Sequence, residues 1–148
     1  MRIAAAAIML TVGAALCAAT ATPAEVAIIA NRTVPADSLS QRELLDIYSG
    51  EIRRWKNGDP IVPHDMTEEG EVRETFYEYL GRKSSRLKSI WVKNLLMGEG
   101  APPEPAQSEE ELLSKVVTTP GAIGFVRREM AGDSVKVLAL ISDANHSK

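Results

Sequence analysis

The sequence predicts an α/β domain, a mixed β-sheet flanked by helices. Short apolar, β-branched runs alternate with longer segments whose apolar residues repeat at helical spacing. These elements follow the order β-α-β-α-α-α-β-β, so helices have to cover a mostly buried sheet. The chain of 148 residues, 45% hydrophobic, is long enough to bury one sizeable core.

Each element has a local reason. The run EVAIIANRTVP, Glu25 to Pro35, is apolar and β-branched and ends in turn residues, so it reads as a buried strand. In SLSQRELLDIYSG, Ser40 followed three residues on by Glu43 forms a capping-box pattern. Leu44, Ile47 and Tyr48 then share one helix face, and Gly50 is a natural stop. Asn57-Gly58-Asp59-Pro60 makes a turn, and IVPHDM after it reads as a second strand that Pro63 confines to an edge or an early end.

The next helix carries Val72, Phe76, Tyr79 and Leu80 as one apolar stripe. A further helix repeats the pattern with Leu87, Ile90, Trp91 and Leu95. GEGAPPEPAQ, Gly98 to Gln107, reads as a loop because Gly and Pro crowd it. Ser108 with Glu111 is a second capping-box pattern, opening a helix with Leu112, Leu113, Val116 and Val117 on its apolar side. TTPGAIGFV turns into a strand, SVKVLALI is the last strand, and residues 143–148 read as a loose polar tail.

The domain is expected over residues 25–142, because the start of the chain reads as an export signal. Met1-Arg2 precedes an almost wholly apolar run from Ile3 to Leu16, and Ala19-Thr20-Ala21 offers a small-x-small cleavage site; a second candidate ends at Ala24. The apolar run falls short of the roughly 20 helical residues a membrane span needs. Cys17 sits at the depth of a lipoprotein cysteine, but Leu16 before it is not the small residue such processing wants. Cleavage after Ala21 leaves a periplasmic protein with no cysteine, hence no disulfide and no thiolate chemistry. It also leaves 16 basic against 20 acidic residues, a net charge of −4. That balance argues against nucleic acid or an anionic membrane as the main partner, and nothing after the signal is expected to insert into a bilayer.

Catalytic signatures are missing. No metalloprotease, nucleophile-elbow or phosphate-loop motif occurs, and His64-Asp65 has no marked serine partner. His64 reads as a surface or strand-end residue. Asp65, Glu68, Glu69, Glu71 and Glu74 lack calcium-loop spacing and read as a solvated helix face, so no metal or cofactor is expected. Basic residues cluster at Arg53-Arg54-Trp55-Lys56, around Arg82, Lys83, Arg86 and Lys88, and at Arg127-Arg128. Each cluster reads first as a solvated face; as a site it suits an acidic protein patch or a small anion better than nucleic acid.

Three landmarks carry a family resemblance. SLSQRELLDIYSGEIRRWKNGDPIVP, FYEYL and TTPGAIGFVRREM, in this order and spacing, resemble segments of phosphate ABC-transporter substrate-binding proteins. The resemblance covers about Val26 to Ile141. It implies a single lobe, the second, of a type II periplasmic-binding-protein-like fold, without the first lobe that would supply half of an anion clamp. Trp55 would then pack its turn onto the sheet, and Gly121 and Gly124 would bracket a strand start that needs a backbone turn or a close approach.

The resemblance also implies a place for a ligand. Relatives of this kind carry a run like Arg-Ser-Asp-Gly-Ser-Gly-Thr, whose arginine and helix start hold phosphate. The corresponding run here is DMTEEGEVRET, with Asp65 or Met66 where the arginine should be. Thr67, Gly70, Arg73 and Thr75, with Gly121, are the candidate ligand-binding residues. Glu68 and Glu69 oppose phosphate: at ~4–5 Å and an effective dielectric of ~20, each repulsion costs roughly 3–4 kcal/mol per unit of ligand charge. Arg73 is expected to pair with Glu69, one turn back.

Two functional expectations follow. One is an exported, non-catalytic solute-binding-type domain that takes a small anion or solute for transport or sensing and works with an ABC permease or a sensor. The other is an envelope protein-interaction module that has the lobe but has lost phosphate binding. Trp55, Tyr48 and Met97 are its candidate exposed contacts, although core packing suits each of them better.

Overall fold

The computed structural model describes residues 24–142; the expected signal segment and the tail lie outside the described residues. Five strands and four helices follow in the order β1 (Val26–Ala30), α1 (Gln41–Tyr48), β2 (Val62–Met66), α2 (Glu71–Leu80), α3 (Ser84–Leu96), β3 (Glu104–Ala106), α4 (Glu109–Thr118), β4 (Ala122–Arg127) and β5 (Lys136–Ile141), with a single 3-10 turn between the last two strands. The strands form one sheet in the order β3-β2-β4-β1-β5. β2, β3 and β4 are parallel, and β1 runs antiparallel to both β4 and β5. The sheet is therefore mixed, as expected, with helices on both faces.

Neighbouring residues of β4 mark the two faces, since successive side chains point to opposite sides. Gly124 faces α4 so closely that a Cβ there would lie 2.5 Å from Leu112 Cδ2. Phe125 faces the other way and stacks on Phe76 of α2, with ring centroids 4.0 Å apart. Tyr48 of α1 meets Phe76 edge-on at 4.8 Å, and its hydroxyl donates to the His64 carbonyl at 2.8 Å. β1 is buried along its whole length, as its unbroken apolar run requires. Asn31 just beyond it caps α4, donating to the Val116 and Val117 carbonyls at 2.9 and 3.0 Å.

The first capping box forms in full: Ser40 receives the Glu43 amide, and Glu43 receives the Ser40 amide. The second is only half made. Ser108 Oγ accepts from the Glu111 amide, but the Glu111 carboxylate reaches one residue further back, to the Gln107 amide at 2.8 Å. Trp55 packs its turn onto the sheet and donates to the Gly121 carbonyl at 3.0 Å. Gly121 lies at φ 77°, and a Cβ there would stand 2.4 Å from the Pro60 carbonyl oxygen. Both readings of this glycine, turn geometry and close approach, hold together.

Several expectations are corrected. The segment read as one loop contains β3, whose Glu104, Pro105 and Ala106 pair with His64, Asp65 and Met66. β2 is consequently not an edge strand. Pro63 is tolerated because the ladder to β4 involves only Val62 and Pro63, and the ladder to β3 begins one residue later. Tyr77, not Tyr79, joins Val72, Phe76 and Leu80 in the core. On α3 only Leu87 and Trp91 are buried, and Leu95 is exposed. His64 is a buried core residue, not a surface one, because the arrival of β3 covers it.

Candidate functional site

Because β2 and β4 are parallel and β1 runs against them, one edge of the sheet gathers the C-terminal ends of β2, β3 and β4 and the start of β1. The loop from Thr67 to Gly70 leaves β2 at this edge and opens α2. Thr67 continues the pairing with β3, its amide donating to the Ala106 carbonyl at 2.9 Å. Gly70 is the N-cap of α2 in extended conformation, and no side chain caps the helix. The first turn of α2 therefore presents amide donors that no side chain satisfies.

Arg73 lies behind that turn with its side chain almost fully enclosed. Its Nε donates to Asp65 Oδ1 at 3.1 Å and its Nη2 to Asp65 Oδ2 at 3.0 Å, a two-pronged pairing across the β2–α2 corner. Its Nη1 donates to Glu69 Oε1 at 2.8 Å, the pairing expected from the one-turn spacing. Tyr77, a turn further on, donates its hydroxyl to Asp65 Oδ2 at 2.7 Å, and the guanidinium carbon sits 4.7 Å from the Tyr77 ring centre. Burial, reinforced by the Asp65 charge, pushes the Tyr77 phenol well above its ordinary range, so it remains a donor.

Asp65 thus departs from the solvated acidic face to which the sequence assigned it. It is 8% exposed and meets three donors, while Glu68, Glu69, Glu71 and Glu74 stay in solvent. The difference has a simple origin. Asp65 alternates with the buried His64 and Met66 of β2 and points toward α2, whereas the glutamates lie on the loop and the outer helix face. The same pairing of cation and carboxylate recurs along the edge: Arg127 holds Glu109 at the start of α4, with Nη2–Oε2 at 2.8 Å, and Arg128 lies 3.5 Å from Glu25.

The candidate residues do not all meet. Thr67, Gly70 and Arg73 share the β2–α2 corner, and Thr75 is buried one turn along α2. Gly121 stands apart. Its carbonyl accepts from Val62 at the start of β2, about 16 Å along the strand from Thr67, and its amide donates to Thr33 Oγ1 at 3.1 Å. An open groove of about 470 Å³ leads from Glu69 and Arg73 past Tyr77 to Arg82, Lys83 and Ser84. Asp65 and Tyr77, the partners that fix Arg73, escaped the sequence reading; the one available signal was an Asp on a strand eight residues before an Arg on the following helix. Among the described residues no group of three or more His, Cys, Asp or Glu could hold a metal ion.

With this geometry in place, the comparisons with known proteins are direct. Residues 22–142 match the model of a PBP superfamily domain, and the chain belongs to that superfamily. No curated protein matches it. Among solved structures it is similar to a putative phosphate ABC transporter substrate-binding protein with bound phosphate from Clostridium perfringens, at a TM-score of 0.66 and 23% identity, covering 79% of this chain and 45% of that one. An ABC-type phosphate transport receptor from Vibrio cholerae gives a TM-score of 0.62 and 23% identity, over 79% of this chain and 47% of that one. PstS from Borrelia burgdorferi gives 0.59 and 16%, over 80% and 48%. The chain spans about half the length of these relatives, and the likeness at such identity is one of fold.

Proposed function

We propose that the protein is an exported, non-catalytic solute-binding-type domain whose ligand seat is the β2–α2 corner at Thr67, Gly70 and Arg73, and that it takes a small anion or an anionic group of a larger solute. The observation that carries this reading is the uncapped start of α2 standing over the Arg73 guanidinium. An uncapped helix start with an adjacent guanidinium is chemistry that favours a negative ligand. The superfamily membership and the phosphate-transport relatives support it. Periplasmic residence and a permease or sensor as downstream partner belong to the same proposal.

The two carboxylates on Arg73 are not equivalent obstacles. Asp65 is enclosed and bidentate, so a ligand does not displace it. The Glu69 side chain is 70% exposed and bonds one nitrogen. Although the Arg73 side of that pair is enclosed, Glu69 reaches it from solvent, and an incoming anion can take the place of its carboxylate. Binding is therefore expected to be weak. The Asp65–Arg73 fork also favours the second reading, an interaction module with the lobe retained, because the guanidinium edge that would clamp phosphate is already occupied by the protein's own carboxylate.

Thermal unfolding in phosphate-free buffer against a panel of small anions separates the two. A ligand at 100 times its dissociation constant adds about 2.7 kcal/mol of stability, a shift of several degrees for a domain of this size. The solute-binding reading expects such a shift at millimolar anion and a larger one in Glu69→Gln. No shift with any anion, in either protein, leaves the interaction module as the better account.

A further inference from the structure

The outer face of α3 is built differently from the rest of the molecule. The helix is anchored by the buried Leu87 and Trp91, with Ile90 partly buried beside them and Asn94 donating to the Ser49 carbonyl at 3.3 Å. At about 100° per residue, Val92 and Leu96 lie on the side opposite those two anchors, with Ser85 and Ser89 in line behind them. Leu96 is 82% exposed and Val92 56%; Leu95 and Met97 at the helix end are 57% and 58% exposed. The same rotation puts Arg86 and Lys93 on one flank of this strip and Lys88 on the other.

From Gly81 to Gly98 all charged side chains are basic, five in number, in a chain whose net charge is −3. Arg86, Lys88 and Lys93 form no salt bridge among the described residues, although surface carboxylates elsewhere are well used. An apolar strip flanked by long cationic side chains is the pattern of a helix lying in an anionic membrane interface, where the stems cover apolar surface and the heads reach the phosphates.

We propose that the outer face of α3 docks the protein reversibly on an anionic lipid bilayer. Net charge is a poor guide here, because a cluster of basic residues facing a membrane acts within a Debye length. A second copy is the less suitable occupant: a two-fold contact through this face would set Arg86, Lys88 and Lys93 against their own copies. The C-terminal half of α3 lies beside the start of β2, where Trp91 and Asn94 share a cavity with Ile61, Val62 and Pro63. That is the end of β2 opposite Thr67, while the groove from Arg73 reaches the start of α3 at Lys83 and Ser84.

The test is co-sedimentation of the exported, processed protein with 100-nm vesicles of 30% phosphatidylglycerol in phosphatidylcholine and with vesicles of phosphatidylcholine alone (about 100 nm sets only a low curvature). Binding is expected on the anionic vesicles only, and 0.5 M salt, roughly a tenfold excess over low-salt buffer, should release it. With each basic residue contributing about 1 kcal/mol, Lys88→Glu/Lys93→Glu should weaken binding at least about tenfold, and Leu96→Ser should weaken it independently. These sites are exposed, so melting temperatures should not move, and the comparison among variants cancels any contribution from the N-terminus. No phosphatidylglycerol-dependent binding, or binding indifferent to all three substitutions, overturns the proposal. So does a dimer in solution that Leu96→Ser dissolves, or a complex with an acidic protein that the charge reversal breaks while vesicles stay unbound.

Discussion

Asp65, Arg73 and Tyr77 set the character of the candidate site. Once the strand and helix are packed, the carboxylate has two guanidinium donors and a phenol, and the guanidinium has two carboxylates. Such a cluster is costly to break from one side, because the partner left behind is a buried charge. Arg73→Ala is expected to lower stability by about 3–5 kcal/mol in urea titration, which is why it is a poor probe of ligand binding here. Tyr77→Phe removes one hydrogen bond to a charged acceptor and should cost about 1.5–3 kcal/mol. A loss well under 1 kcal/mol from Tyr77→Phe would mean that Asp65 finds a replacement donor in solution.

Elements meet where the sequence kept side chains out. Gly121 lets the Trp55 turn close on the start of β4, with its own carbonyl shared between Trp55 Nε1 and the Val62 amide. Gly121→Ala would combine a φ of 77° with a contact of 2.4 Å to a backbone oxygen, and a backbone neighbour cannot swing aside. The expected loss is about 2–4 kcal/mol, measured by denaturant midpoint, with quenching of the buried Trp55 as a local reporter. An unchanged midpoint would show that the turn can lift off the sheet at little cost.

β2 also carries a pH dependence. His64 is enclosed between β3 and the core, and that burial holds its pKa below the ordinary 6.5, although the Val62 and Ile123 carbonyls oppose the shift. The unfolded chain therefore takes up the proton first as pH falls. Stability is full above about pH 6.5 and declines below it, toward the lower folded-state value. His64→Gln should flatten the curve between pH 7 and about 5.5. Equal slopes in both proteins would assign the loss to other groups.

At the scale of the molecule, the buried residues of all five strands' neighbourhood join one core that runs from β1 through Phe125 and Phe76 to Tyr48 and Trp91. A length of about half that of the solved relatives does not leave this core open, since α4 covers one face of the sheet and α1 and α2 the other. Trp55 and Trp91 report from different elements of the same core. Their fluorescence should unfold together with the far-ultraviolet circular dichroism, in one transition. Two separated midpoints would mean that α3, of which only Leu87 and Trp91 are buried, opens before the sheet.

Apolar period, capping residues and punctuation were enough for most of the interleaved order of elements and for both helix starts at Ser40 and Ser108, because each depends on a few neighbouring residues; the roles of Trp55 and Gly121, which meet across 66 residues, were legible only through the family resemblance. The pairing of Arg73 with Glu69 was readable from local spacing, being a contact within one helical turn. Three things were decided by tertiary structure alone. Three residues of a Pro-rich segment became a strand because β2 offered them a free edge, a long-range pairing with no local signal. Tyr77 displaced Tyr79 from the core because the Asp65 carboxylate gave its hydroxyl a buried acceptor. Asp65 left the acidic surface for the interior because the crossing of β2 and α2 brought a guanidinium to it. Local sequence fixes the pattern within a strand or a turn of helix, while the fate of a charge depends on which distant residue the fold carries to its side.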